Sequence, residues 1–405
     1  MLALGAGQSV AIADEGVVVS PPLPAAERQS QSQAVQQYWT KEAMESAIPM
    51  SIREMPSPAA EGVIVSPQAE EQPSAPPGLA PACRPGGNCK KAAPQTINPD
   101  AQTGGTLLMT SPPFSPPATP TSYSDYAPFN RWTWDGISNY YRKFPVSTVG
   151  KLFFTQLGLN YVCSASVINA STLATAGHCI HAGNNSSTGW SSNLLFCPSY
   201  YTAGADPARG CWAWTGYAAT SGSWYSSGNP DRDYACFVTN PTGTVVANKV
   251  GNVTGWLGRA WNWSSRQSTF AWGYPAASPF PGNRIITVAS TEWYEVNMNT
   301  TESQKSKYIG SDMTGGSSGG PWWFAMRTTG NTEYADTDGS DITDPRPLDG
   351  PYLNGVNSHK RCSASGCPAG SVFTQEMGSP QFRSTTADTG ESEDVFALCF
   401  SNGGA

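Results

Sequence analysis

From about residue 125 onward the chain is written in short apolar runs separated by turn residues, and this texture constrains its fold more than any other feature. Runs at 149–154, 161–168, 234–239, 268–272, 284–290, 320–326 and 352–357 are rich in β-branched and aromatic residues, with Gly, Asn, Ser and Pro between them. The first kind suits a pleated, half-buried surface, and the second supplies turns. Several such strands predict an all-β sandwich or a pair of barrels, and about 275 residues suffice for two small barrels. Composition agrees: only 13% of residues are charged and 41 are Gly, whereas a helical bundle needs more Lys, Glu and Leu.

Residues 14–125 read differently. Pro recurs, aromatic residues are few, and Glu15-Gly-Val-Val-Val-Ser-Pro21 returns as Glu61-Gly-Val-Ile-Val-Ser-Pro67. The copies flank a predicted helix that includes residues 38–47, and the rest, up to a Pro/Ser/Thr run at 110–122, reads as linker. Such a stretch lacks the apolar surface for a large core. It is expected to be a mostly irregular propeptide; a spacer without an inhibitory role is the other reading. Ahead of it, Ala11-Ile12-Ala13 before Asp14 has the form of a signal-peptidase site. A basic leader and full apolar core are missing, so 1–13 reads as the end of a signal peptide that starts further upstream. The expected organisation is thus 1–13 signal remnant, 14–125 propeptide and linker, and 126–405 the main domain.

Ten cysteines with only 3 histidines argue for five disulfides in an oxidising compartment rather than a zinc set. A net charge of −7 without a basic stripe excludes a nucleic-acid partner. No apolar stretch is long enough to span a membrane as a helix. A secreted monomer without metal or cofactor is expected.

Three separated segments carry chemistry. In Gly315-Gly-Ser-Ser-Gly-Gly-Pro321, glycines on both sides of Ser318 let the backbone turn tightly. The N–H groups of Gly316 and Ser318 can then face one small space, as stabilisation of an oxyanion requires. Thr175-Ala-Gly-His-Cys179 presents His178 on a small-residue turn, and Cys163, 16 residues before Cys179 (179 − 163), is placed to staple that turn to a strand. Asp233 opens the run Tyr234-Ala-Cys-Phe-Val238, where an acid can be buried against the histidine to orient it; Asp231 competes for that role.

These motifs, in the order His, Asp, Ser, resemble the trypsin/chymotrypsin family of serine proteases across roughly residues 145–400. The resemblance implies two six-stranded antiparallel β-barrels with the active site between them. It implies a catalytic triad of His178, Asp233 and Ser318, an oxyanion hole at Gly316 and Ser318, and protein or peptide substrates. Ser358, in Gly355-Val-Asn-Ser358, aligns with the family serine that hydrogen-bonds the triad aspartate and helps hold substrate backbone. Ser317 stands where digestive trypsins carry the aspartate that captures a new N-terminus, so that activation ion pair cannot form. No Ile-Val-Gly-Gly start precedes the barrel, and 144–153 with Cys163-Ser-Ala-Ser166 looks nearer the bacterial glutamyl-endopeptidase branch.

Specificity stays open at this level. Asp312 lies six residues before Ser318 (318 − 312), the trypsin offset for binding Lys or Arg, but it reads equally well as a structural turn residue. The glutamate-binding histidine of the other branch would align with Asn357, leaving His359 and Lys360 as substitutes and glutamate specificity as the alternative. The acidic stretch 333–349 has carboxylates at alternating positions but lacks the twelfth-position Glu of an EF-hand loop, so it reads as a solvated loop. Cys197 with Cys211 and Cys362 with Cys367 are near enough to pair, which leaves Cys236 with Cys399; Cys83 and Cys89 can close a small loop. Spacing alone does not establish that connectivity. Sequons begin at Asn169, Asn185, Asn252, Asn262 and Asn299. A non-catalytic binding protein on the same scaffold is the competing function. An α/β-hydrolase would need the order Ser, Asp, His.

Overall fold

The computed structural model describes residues 12–13, 16–21, 23–56, 78–85, 95–96, 128–133, 139–202, 204–263, 267–292, 294–299, 304–324, 350–362, 367, 372, 374–385 and 388–403. The second copy of the repeat, the run 110–122, the acidic stretch 333–349 and Cys89 lie outside them. Of the N-terminal region, residues 16–56 are built against the main domain. Helix α1 (Ala25–Tyr38) ends at Trp39, which buries its ring 5.4 Å from that of Phe153 and donates from Nε1 to the Asn193 carbonyl. Thr40 then accepts from the Ala43 N–H and starts α2 (Lys41–Ser46). The single helix expected over 38–47 is therefore two, because a Thr side chain caps a new helix better than it continues an old one. The chain goes on extended through β1 (Ile48–Pro49) and β2 (Arg53–Pro56).

The first half of the main domain is a closed antiparallel barrel. Strands β3 (Val149–Gln156), β4 (Leu159–Val167), β5 (Thr172–Thr175), β6 (Ser192–Pro198), β7 (Trp212–Ser221) and β8 (Ala235–Thr239) join in the order β7-β6-β3-β4-β5-β8, and β8 closes on β7. Leu157 and Gly158 link β3 to β4 with φ of +49° and +82°. Left-handed backbone at both central residues matches the twist of a two-residue hairpin. Closure removes sheet edges and leaves an interior filled by side chains such as Leu152, Leu173, Phe196 and Phe237, all fully buried. Val17–Val19, from the first copy of the repeat, adds antiparallel to β7 on the outside.

The second half includes β9 (Gly258–Trp261), β10 (Ser268–Gly273), β11 (Ile286–Thr291), β12 (Ser306–Gly310, edged by the short strand Tyr294–Val296), β13 (Pro321–Phe324), β14 (Tyr352–Val356), β15 (His359–Cys362) and β16 (Glu376–Pro380). Its ladders fall into two sheets, β9-β14-β13-β10-β11 and β12-β16-β15, with β9 parallel to β14. Here the observed arrangement is more divided than a single antiparallel ring. The chain changes sheets between β14 and β15, where Asn357 donates to the carbonyls of Trp272 and Ser317 and accepts from Trp322 Nε1. Those bonds satisfy the groups that a strand loses when it turns a corner.

Four disulfides join described residues, and all follow the expected pairing: Cys163–Cys179, Cys197–Cys211, Cys236–Cys399 and Cys362–Cys367. The third ties the C-terminal helix (Ser392–Gly403), with Val395 and Phe396 buried, to barrel strand β8. Among the described residues no helix is long and apolar enough to cross a membrane.

Candidate active site

His178 sits in a one-turn helix (Gly177–Ile180) directly after β5. The Cys163–Cys179 bond, with Cα atoms 6.4 Å apart, pins this turn to β4. Gly177 is required there, because a Cβ would stand 2.9 Å from both an Asp233 oxygen and the Trp224 ring. Asp233 is delivered by a 3-10 turn (Pro230–Arg232) whose first residues are held by Asn229, which accepts from the Asp231 N–H at 3.0 Å.

Asp233 is wholly buried and accepts three hydrogen bonds. They come from His178 Nδ1 at 2.8 Å, from the His178 backbone N–H at 2.8 Å, and from Ser358 Oγ. Burial alone would raise its carboxyl pKa, but the charge of His178 and these bonds outweigh that and hold it below the ordinary value. Asp231, two residues away, faces elsewhere: it accepts from Ser306 Oγ at 2.6 Å and from the N–H groups of Met298 and Asn299 at 2.8 and 2.9 Å. Of the two candidate acids, Asp233 is the one that meets His178.

Ser318 lies in the turn between Gly315 and Gly320. Gly319 has φ +79°, and a Cβ there would fall 1.9 Å from Thr175 Oγ1, so no larger residue fits. The loop is fastened to the barrel through Ser164, whose N–H donates to the Ser318 carbonyl at 2.7 Å and whose Oγ donates to the Gly316 carbonyl at 3.0 Å. The sulfur of Cys179, next to His178, is 3.7 Å from the Ser318 carbonyl oxygen. Ser318 Oγ and His178 Nε2 are both buried and hydrogen-bonded to nothing. The Gly316 N–H, turned outward at φ +92°, donates to the Met50 carbonyl at 2.9 Å.

Ser358 extends the polar chain. Its Oγ donates to Asp233, so it accepts from His359 Nδ1 at 2.8 Å, and His359 Nε2 then accepts from the Tyr308 hydroxyl at 2.7 Å. These partners determine the tautomer. Burial, reinforced by Arg53 and Arg361, lowers the His359 pKa to about 3, so the ring is neutral near pH 7. The expectation that His359 reads substrate is corrected here: neither ring nitrogen is left over. Lys360 is nearly buried and donates to the Thr374 carbonyl at 2.7 Å; burial lowers its pKa to about 8.

Asp312 is ion-paired with Arg131, whose guanidinium also lies 5.0 Å from the Phe280 ring centre. Arg131 meets Oδ2 of Asp312, while Oδ1 is buried without a hydrogen-bond partner. Next to it Met313 belongs to a buried apolar cluster with Phe280, Ile309, Trp322, Met377 and Ile52. Arg131, Tyr308 and the segment 48–56 all escape the sequence reading. None carries a motif, and each reaches the site from a distant part of the chain.

Cys163, His178 and Cys179 are the one set of three close metal-ligand types among the described residues. Both sulfurs are committed to a disulfide and offer no thiolate, so the set does not fit a metal ion.

No family model matches the sequence. A curated relative from Bacillus subtilis (strain 168), named an extracellular metalloprotease, is 27% identical over 179 residues, which is 43% of this chain and 50% of that protein. The chain thus spans about half the length of the curated relative it matches. A thermostable serine protease from an extremophilic microorganism is 30% identical, with 58% of this chain and 92% of that one covered, at a TM-score of 0.44. The protease Anisep from Arthrobacter nicotinovorans is also 30% identical, with 63% and 98% covered, at 0.46. A Glu endopeptidase is 15% identical, with 68% and 97% covered, at 0.43. The similarity thus runs to serine proteases and an extracellular protease, and the closed six-stranded antiparallel barrel with its further sheets is a chymotrypsin-like fold.

Proposed function

We propose that the protein is a secreted serine endopeptidase, made with a propeptide, that hydrolyses peptide bonds through an acyl-enzyme. One observation carries the reading: His178 is clamped by Asp233 on its Nδ1 side while its Nε2 and Ser318 Oγ are left without partners. A buried imidazole nitrogen and a buried hydroxyl go unpaired at a cost, and in an enzyme that cost is met when substrate binds. Ser318 Oγ attacks the carbonyl carbon, and His178 Nε2 takes its proton. Asp233, held ionised by its three donors, stabilises the imidazolium that forms. The Gly316 and Ser318 N–H groups receive the charge on the carbonyl oxygen. His178 gives its proton to the leaving amine, and water then repeats the sequence on the acyl-enzyme.

Residues 126–405 form the protease domain in this reading, and 14–125 the propeptide and linker. Secretion is supported by the disulfides and by the name of the extracellular relative. The test is the secreted protein with a serine-directed phosphonate. Ser318 is labelled and cleavage stops, whereas Ser318→Ala loses turnover by about 10⁶-fold and still folds. Turnover that survives in Ser318→Ala refutes the assignment.

A further inference from the structure

Residues 48–56 lie across the groups that the proposed reaction uses. Ile48 and Pro49 pair with Tyr161 and Val162 on β4. Met50 donates its N–H to the Val162 carbonyl at 2.9 Å and places its own carbonyl on the Gly316 N–H at 2.9 Å. Ile52 is 9% exposed and joins the apolar cluster of Met313 and Phe280. Arg53 sets its guanidinium 4.7 Å from the ring centre of Trp224, which is itself 6.2 Å from the His178 ring. Arg53–Pro56 then pairs, residue by residue, with His359–Cys362 of β15. Under this cover Ser318 is 0% and His178 5% exposed.

The direction of the segment is the informative feature. Peptide hydrolysis leaves the acyl half of the substrate on the serine and sends the amine half away with the histidine's proton. His178 stands on the β4 side of the groove, since its neighbour Cys179 is bonded to that strand. A cleavable chain therefore has its downstream half along β4 and its upstream half along β15, antiparallel to β15. Residues 48–56 run the other way, upstream half on β4 and downstream half parallel to β15. The amine of the Met50–Ser51 bond accordingly faces β15 and not His178.

We propose that residues 48–56 are an intramolecular inhibitor that occupies the substrate groove with reversed polarity, filling it with β-strand pairing while presenting no bond that Ser318 can cut. This rests on the endopeptidase reading above. Strand addition supplies the main-chain affinity, and Ile52 and Arg53 supply the side-chain anchors. Tethering raises the local concentration of the segment to about millimolar, so even modest affinity closes the site. It also follows that maturation needs a cut outside 48–56, by a second molecule or another protease.

The test uses the full chain and the rate at which a fluorescent phosphonate labels Ser318. Ile52→Asp puts a charge in the apolar cluster and is expected to speed labelling by about 100-fold. Arg53→Ala, which removes the Trp224 contact and the bond from Nη1 to the Gly228 carbonyl and takes no apolar side chain from the core, is expected to speed it several-fold. A synthetic peptide of residues 40–56, added to the Ile52→Asp chain, restores the block and is recovered uncut by mass spectrometry. Wild-type chain labelled as fast as both variants overturns the inhibitor, as does cleavage of the peptide at Met50–Ser51. If Ser318 labels in no form, including chain cut between residues 57 and 77, the endopeptidase reading itself fails.

Discussion

Ser358→Ala is a sharp test of how the site is held, because Ser358 has two charge-relevant bonds and no exposed surface. Its Oγ is one of three donors to Asp233. A hydrogen bond to a charged group is worth about 1.5–3 kcal/mol. The substitution also orphans the buried His359 Nδ1–H, at about 1–3 kcal/mol. Together about 2.5–6 kcal/mol of stability is lost, a large part of the roughly 5–15 kcal/mol of a folded domain. Catalysis suffers less. Asp233 keeps both His178 bonds and stays ionised at neutral pH, so kcat/KM falls by only about tenfold. Urea unfolding gives the first number and peptide hydrolysis by processed protein gives the second. A stability change under about 0.5 kcal/mol would show that the chain Asp233–Ser358–His359–Tyr308 does not act as a unit.

Further outcomes follow from burial and connectivity. His359 has a depressed pKa, about 3 against 6.5, so the unfolded chain binds its proton first as pH falls. Stability contributed by the neutral ring is present above about pH 6.5 and is lost progressively towards pH 3, on the order of several kcal/mol in all. Buried Glu292, raised to about 7, titrates in the same window, so the His359 share is read as the difference in urea midpoints between wild type and His359→Gln from pH 7 to 5; identical profiles contradict the assignment. Replacing Cys236 and Cys399 with Ser opens a link between residues 163 apart. The chain-entropy estimate is about 5 kcal/mol, read as a drop in Tm of about 10 °C or more. A drop of a degree or two would mean that the C-terminal helix holds its place on the barrel by packing alone.

The candidate site residues were legible in the sequence because their motifs are local. A glycine on each side of Ser318, a small-residue turn at His178 and an acid at the mouth of a strand are demands that covalent geometry and sterics place on neighbouring residues. The strand texture was legible for the same reason, since turn residues and β-branched runs act over a few positions. What tertiary structure alone decided involves partners far apart in the chain. Asp312 has the offset of a specificity residue, and the ion pair of its Oδ2 with Arg131, 181 positions earlier, is visible only in the fold. His359 looks like a free reader of charge until Ser358 and Tyr308 occupy both its nitrogens. Residues 48–56 carry no motif, because a segment that binds through its backbone needs little from its side chains. Its polarity in the groove depends on which strands flank it, and only the folded chain determines that.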